Sequence, residues 1–240
     1  MQADNIAVFG CSGSLGNAFV RYLAVQYPKA VIHTFSRTQQ EFESTNVLSH
    51  SLDFQDEGAI EQAVITATVE QQFDLVIVAT GMLHDEIVTP EKSLKQLSTN
   101  VFRHYYDVDT ILPAMIAKYC LPRLNRDNQA LFAVLSARVG SISDNQLGGW
   151  YGYRMAKAAL NMFIKTAAIE IKRSNKQAVV VGLHPGTVNS PLSAPFQRHV
   201  PEGKLFSPDY AAQQLVSVLT QLSPKQSGAC FAYDGQEIAP

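Results

Sequence analysis

The chain has 240 residues, 46% hydrophobic and 17% charged, with 19 Lys and Arg against 21 Asp and Glu for a formal charge of −2. That apolar content excludes a disordered chain, and the lack of any basic excess or run excludes one that neutralises nucleic-acid phosphates. Three scattered cysteines, Cys11, Cys120 and Cys230, offer neither a disulfide framework nor a C-x-x-C metal site and suit a reducing compartment. The opening MQADNIAVFG has no basic stretch ahead of an apolar core, and no run of 18 apolar residues occurs. A cytoplasmic globular protein with neither nucleic acid nor membrane as partner is expected.

In chain order, Ile6–Gly10 is a continuous apolar strand that runs into Gly10-Cys11-Ser12-Gly13-Ser14-Leu15-Gly16. Leu15, Ala18, Phe19, Tyr22 and Leu23 then recur at helical spacing. A glycine-rich turn between strand and helix lets backbone N–H groups approach a pyrophosphate. Alone it is a weak signal, which a tight turn with no ligand also explains. It lacks the Gly-Lys-Ser/Thr of a phosphate loop, and Ser14 stands where a nucleophile elbow needs Gly.

The second strand, Ala30–Phe35, ends in Ser36-Arg37, about 20 residues past Gly16. NAD sites place a carboxylate there for the ribose hydroxyls. A cation in its place favours the 2′-phosphate of NADP over NAD. Next come a strand at Val47–Leu52, a helix at Asp56–Gln71 and a strand at Phe73–Ala79. A long stretch from Ser98 to Tyr119 follows, helical and apolar on more than one face, and then a strand at Ala130–Leu135.

Tyr153 and Lys157 open the next helix, Tyr151–Arg173. An i, i+4 spacing puts phenol and ammonium on one face, where the cation is expected to lower the phenol's pKa and make it a usable acid and base. Strands at Ala178–Leu183 and Ala229–Tyr233 flank a helix at Pro208–Leu222. Seven strands alternating with helices predict one domain over residues 1–240: a doubly wound, seven-stranded parallel sheet with helices on both faces. The proline-containing segment 187–207 reads as a substrate loop, and the loops 82–95 and 141–150 should share in substrate choice. Six histidines, His33, His50, His84, His104, His184 and His199, form no ligand pattern, so no metal is expected. Cys11 reads as a small buried residue.

With these motifs in place the chain resembles a short-chain dehydrogenase/reductase of the Rossmann fold over essentially its whole length. The segments Ser136-Ala137-Arg138-Val139-Gly140-Ser141-Ile142 and Gly148 to Asn161 are similar to the C-factor and carbonyl-reductase-like group, as is the ending Ser227 to Gly235. The resemblance implies a small carbonyl or alcohol as substrate and a homodimer or homotetramer as assembly. It implies Tyr153 as general acid, Lys157 on the nicotinamide ribose, and Asn100 as the asparagine that holds a relay water. On the cofactor it implies Gly10, Ser12, Gly13, Ser14, Leu15, Gly16, Ser36 and Arg37. Asp53 with Phe54 would sit by the adenine, Thr80 and Gly81 would follow the fourth strand, and Pro185, Gly186, Val188 and Ser190 would hold the carboxamide.

Three departures stand out. Ser14 replaces a family glycine, and Val78-Ala79-Thr80-Gly81 replaces Asn-Asn-Ala-Gly. Ala137 stands where the family has its catalytic serine, so Ser136 or Ser141 would have to supply that hydroxyl. The reading is therefore an NADP-dependent reductase of a small ketone or aldehyde, with a cofactor-binding regulatory or signalling protein of little turnover as the alternative.

Overall fold

The computed structural model describes residues 2–86 and 88–240, apart from the side chain of His199. Ile87 of the 82–95 loop lies outside the described residues. Six strands form the centre of the sheet: β1 (Asn5–Phe9), β2 (Val31–Ser36), β3 (Val47–Ser51), β4 (Leu75–Val78), β5 (Ala130–Leu135) and β6 (Ala178–His184). All six pair in parallel. Every residue of β1 and β4 is buried, because helices cover both faces of the sheet.

The helices are α1 (Ser14–Gln26), α2 (Glu57–Ala67), α3 (Thr99–Tyr106), α4 (Leu112–Cys120), α5 (Tyr151–Ile171) and α6 (Pro208–Gln221). On one face Phe19 and Leu23 of α1 and Leu215 and Leu219 of α6 pack on the sheet. On the other, Ile60 and Val64 of α2, Ile116 of α4, and Leu160 and Ile164 of α5 do so. The stretch expected as one helix from Ser98 to Tyr119 is interrupted by a wide π-helical turn at Asp107–Ile111.

Three short elements escaped the sequence reading. Segment 187–207 contains β7 (Thr187–Val188) and β8 (Leu205–Phe206), which pair in parallel as a separate ribbon. Cys230–Ala232 forms β9, which joins β6 in parallel, and Glu237–Ile238 forms β10, antiparallel to β9. The main sheet thus has eight described strands rather than seven, in the order β10-β9-β6-β5-β4-β1-β2-β3, and its edge is antiparallel. β1 is flanked by β2 on one side and β4 on the other, so strand order reverses there and a crevice opens at the strands' carboxyl ends.

Candidate active site

A cleft of about 580 Å³ occupies that crevice. Its floor includes Ser12 to Gly16, Thr80 and Gly81, and its far wall includes Tyr153, Lys157 and the segment from His184 to Val188.

The glycine loop fits an anion on physical grounds. Gly13 stands at the N-cap of α1 and no side chain caps that helix. The first backbone bond of the helix runs from the Asn17 N–H to the Gly13 carbonyl, which leaves the N–H groups of the first turn facing the cleft without intrahelical partners. A Cβ at Gly16 would overlap the Gly10 carbonyl, so the loop can be this tight only with glycine there. Opposite it, the Thr80 hydroxyl is buried without a hydrogen-bond partner among the described residues. Cys11 is buried and donates to the Ser36 hydroxyl at 3.2 Å, as a small structural residue would.

Tyr153 and Lys157 lie in the first two turns of α5, and both are buried. Helix α5 has no side-chain cap of its own; its N-cap, Trp150, sits at φ +53°, in the left-handed region. Glu91 holds this turn from outside. Its carbonyl accepts the Trp150 N–H at 2.5 Å, and its buried carboxylate accepts the Gly152 N–H at 3.1 Å. The Lys157 ammonium donates to the Leu135 carbonyl at 3.1 Å and pairs with Asp109 at 3.0 Å. It stands 5.7 Å from the centre of the Tyr153 ring.

Asp109 comes from the π-helical turn and is fully buried. Burial pushes its carboxyl up, against Lys157 and the Met82 N–H, which hold it down. The expected lowering of the Tyr153 phenol is not found: burial raises it well above its ordinary range, and the nearby Asp109 and Tyr105 add to the rise. Around the phenol, Met82, Leu83, Ala137, Val139, Trp150 and Phe196 make an apolar wall, with Trp150 and Phe196 edge to face at 5.1 Å.

A family model described as short chain dehydrogenase matches residues 4–200. The chain belongs to the short-chain dehydrogenase family. Within that family it is similar to the C-factor group. The C-signal protein of Myxococcus xanthus is 31% identical over 133 residues, which cover 55% of this chain and 75% of that protein. A 1-hydroxy-2-glutathionyl-2-methyl-3-butene dehydrogenase of Rhodococcus sp. (strain AD45) is 30% identical over 139 residues, 58% of each chain. In fold the chain is similar to the NADPH-bound carbonyl reductase from chicken fatty liver, with a TM-score of 0.84 at 22% identity over the whole of both chains.

The family's oxidoreductase chemistry needs a proton donor beside the cofactor position, and Tyr153 lines the same cleft as the uncapped end of α1. The other expected residues divide. Ser12, Gly13, Ser14, Leu15, Gly16, Thr80, Gly81, Lys157, Pro185, Gly186, Val188 and Ser190 line the cleft, and Gly10 packs behind it against Ala79 and Thr80. Ser36, Arg37, Asp53 and Phe54 lie beyond the cleft lining, at the ends of β2 and β3. There Arg37 and Asp53 are exposed, and the Arg37 guanidinium makes no ion pair among the described residues.

Three expectations are corrected. Asn100 is exposed in the first turn of α3 and does not reach Lys157; Asp109, nine residues on, does. The Ser141 hydroxyl faces away from the cleft and accepts the Asp144 N–H at 3.1 Å. Ser136 borders the cleft, but its hydroxyl donates to Asn161 at 2.6 Å, so neither serine bonds Tyr153. His84 is half-buried; it packs edge-on against Phe196 and bonds the Pro191 carbonyl at 3.1 Å. The sequence reading passed over Asp109 and Glu91. Each is an ionisable residue that the fold buries, and with Asp107 two residues from Asp109 the sequence does not mark which carboxylate turns inward.

Proposed function

We propose that the protein is an NADPH-dependent reductase of a small ketone or aldehyde, with Tyr153 as general acid. The observation that carries this is the placing of Tyr153 and Lys157 on one wall of the cleft whose floor is the uncapped end of α1. The first-turn N–H groups of α1 would hold the pyrophosphate. Arg37, at the end of a strand with no carboxylate, would hold the 2′-phosphate. Thr80 would serve the cofactor with its free hydroxyl, Lys157 with the donor it has left, and Pro185, Gly186, Val188 and Ser190 with the carboxamide site. NADPH, when bound, would supply the hydride for the carbonyl carbon. Tyr153 gives its proton to the carbonyl oxygen, and the apolar wall of Trp150, Phe196 and Val139 seats the substituents and excludes water. NADPH in the chicken relative is consistent with this cofactor.

A panel of ketones and aldehydes with NADPH tests the reading. Tyr153→Phe should lose at least about 10³-fold in kcat while NADPH affinity stays within a few-fold, since the phenol proton is used only in the chemical step. Turnover unchanged in that variant overturns the mechanism. One observation favours a second reading, a regulatory or signalling protein with little turnover: Ala137 leaves no serine hydroxyl beside Tyr153. Tight NADPH binding with no turnover on any carbonyl would support it.

We also read a homodimer or homotetramer. Met155, Met162 and Ile169 stand seven residues apart along α5 and are exposed, an apolar row that a second copy would cover.

A further inference from the structure

The Lys157 ammonium pairs with a carboxyl group buried inside the protein. Asp109 is 0% exposed, its Oδ1 lies 3.0 Å from Lys157 Nζ, and its Oδ2 has no partner among the described residues. The pair is built rather than incidental. The Met82 N–H donates to the same Oδ1 at 3.1 Å. Thr110, next in the π-helical turn, donates to the Ala156 carbonyl at 2.8 Å and so ties the turn to α5 one residue from Lys157. Gly81 leaves room for both groups: a Cβ there would lie 3.1 Å from Asp109 Oδ1 and 3.5 Å from Lys157 Nζ.

We infer that Asp109 is a positioning residue that neutralises Lys157 behind Tyr153, so that the Tyr153 hydroxyl is kept as a proton donor and the site is set for carbonyl reduction rather than alcohol oxidation. This rests on the reading of Tyr153 as the general acid. A lone ammonium beside a phenol favours the phenolate, the form that accepts a proton from an alcohol; an ion pair with no net charge does not. The other charged or titratable groups around Tyr153 do not restore the missing cation. Tyr105 on α3 is neutral, with Glu91 and the Asp85–His104 pair beyond it. On the far wall His184 is held neutral by burial, and Arg138 is half exposed and turned toward Asp144.

The test is a pH titration of the free, full-length protein carrying ¹³Cζ-labelled tyrosine, with the Tyr153 resonance assigned by its loss in Tyr153→Phe. In the wild type the Tyr153 midpoint should lie above about 10, the ordinary tyrosine value. Asp109→Asn keeps the shape and removes the negative charge, and should lower the midpoint by at least one pH unit, a tenfold gain in phenolate at a given pH. A smaller shift, or a wild-type midpoint below about 10, overturns the inference. Asp109→Ser serves as a second variant, and should neither variant fold, a wild-type midpoint below about 10 still overturns the inference. The readout needs neither substrate nor cofactor. If Tyr153→Phe keeps its turnover, the proposed function fails while the titration still reports on Asp109.

Discussion

The two ends of the sheet treat buried polar groups in opposite ways. Where the strands begin, the polar groups satisfy one another. Asp74 accepts the N–H groups of Asp4 and Asn5 at 2.8 and 3.1 Å and the Asn125 amide at 2.7 Å. Asn5 donates to the carbonyls of Ala67 and Gln71, and Asn175 to that of Asn125. Where the strands end, Thr80 Oγ1, Glu91 Oε1, Asp109 Oδ2 and His184 Nδ1 are buried without partners; among the described residues only Asn5 Oδ1 shares that state at the opposite end. Unmade bonds of this kind cost on the order of 1–3 kcal/mol each. Three of the four, Thr80, Asp109 and His184, line the cleft, while the groups at the other end hold the strands in register.

That contrast can be broken by experiment. The largest effect on stability is expected at the closed end. Asp74→Ala strands three donors at a carboxylate that is 3% exposed, and should cost about 3–4 kcal/mol in denaturant unfolding, with kcat per folded molecule unchanged. A loss of kcat without a loss of stability would erase the distinction between the ends.

At the open end, His184 shows the cost of an unpartnered ring. Burial, with Arg138 adding to it, pushes its pKa down to about 4, against about 6.5 unfolded. The unfolded chain therefore binds the proton first. Stability from this group is complete above about pH 6.5 and is lost as pH falls towards 4, by up to about 3 kcal/mol. His33, also pushed down to about 4 by burial and by His50, contributes in the same direction. Urea midpoints measured across this window should fall with acid in the wild type and fall less in His184→Gln; equal slopes would show that the ring finds a partner.

The smallest effect is at the rim. Arg37→Ala should leave stability unchanged and weaken NADPH at least about tenfold more than NADH, which fluorescence titration of both cofactors would read. Equal losses would take the cation out of cofactor choice.

Much of the frame was legible in the sequence because strands buried on both faces, such as Leu75–Val78 and Ala130–Leu135, are unbroken apolar runs. The glycine loop and the Tyr153–Lys157 pair were legible because each is local, fixed by a turn or by one step of a helix. What stayed hidden depends on partners far along the chain. The strands Thr187–Val188 and Glu237–Ile238 are two residues long and exist only through their neighbours. Asn100 matched a motif by residue type, but only the path of the helices decides which side chain meets Lys157. Ser141 and Ser136 were both candidates by residue type, and the partners Asp144 and Asn161 decide where their hydroxyls go.

The capping of α5 by Glu91 has a consequence for how this protein can change. The loop that carries Met82 and Leu83 into the cleft also fixes the turn from which Tyr153 projects. A substitution there that reshapes the pocket also shifts the acid against its target. New substrates are therefore easier to reach through segment 187–207, which borders the same cleft and touches the start of α5 through the Phe196 ring on Trp150 rather than through a hydrogen bond to its backbone.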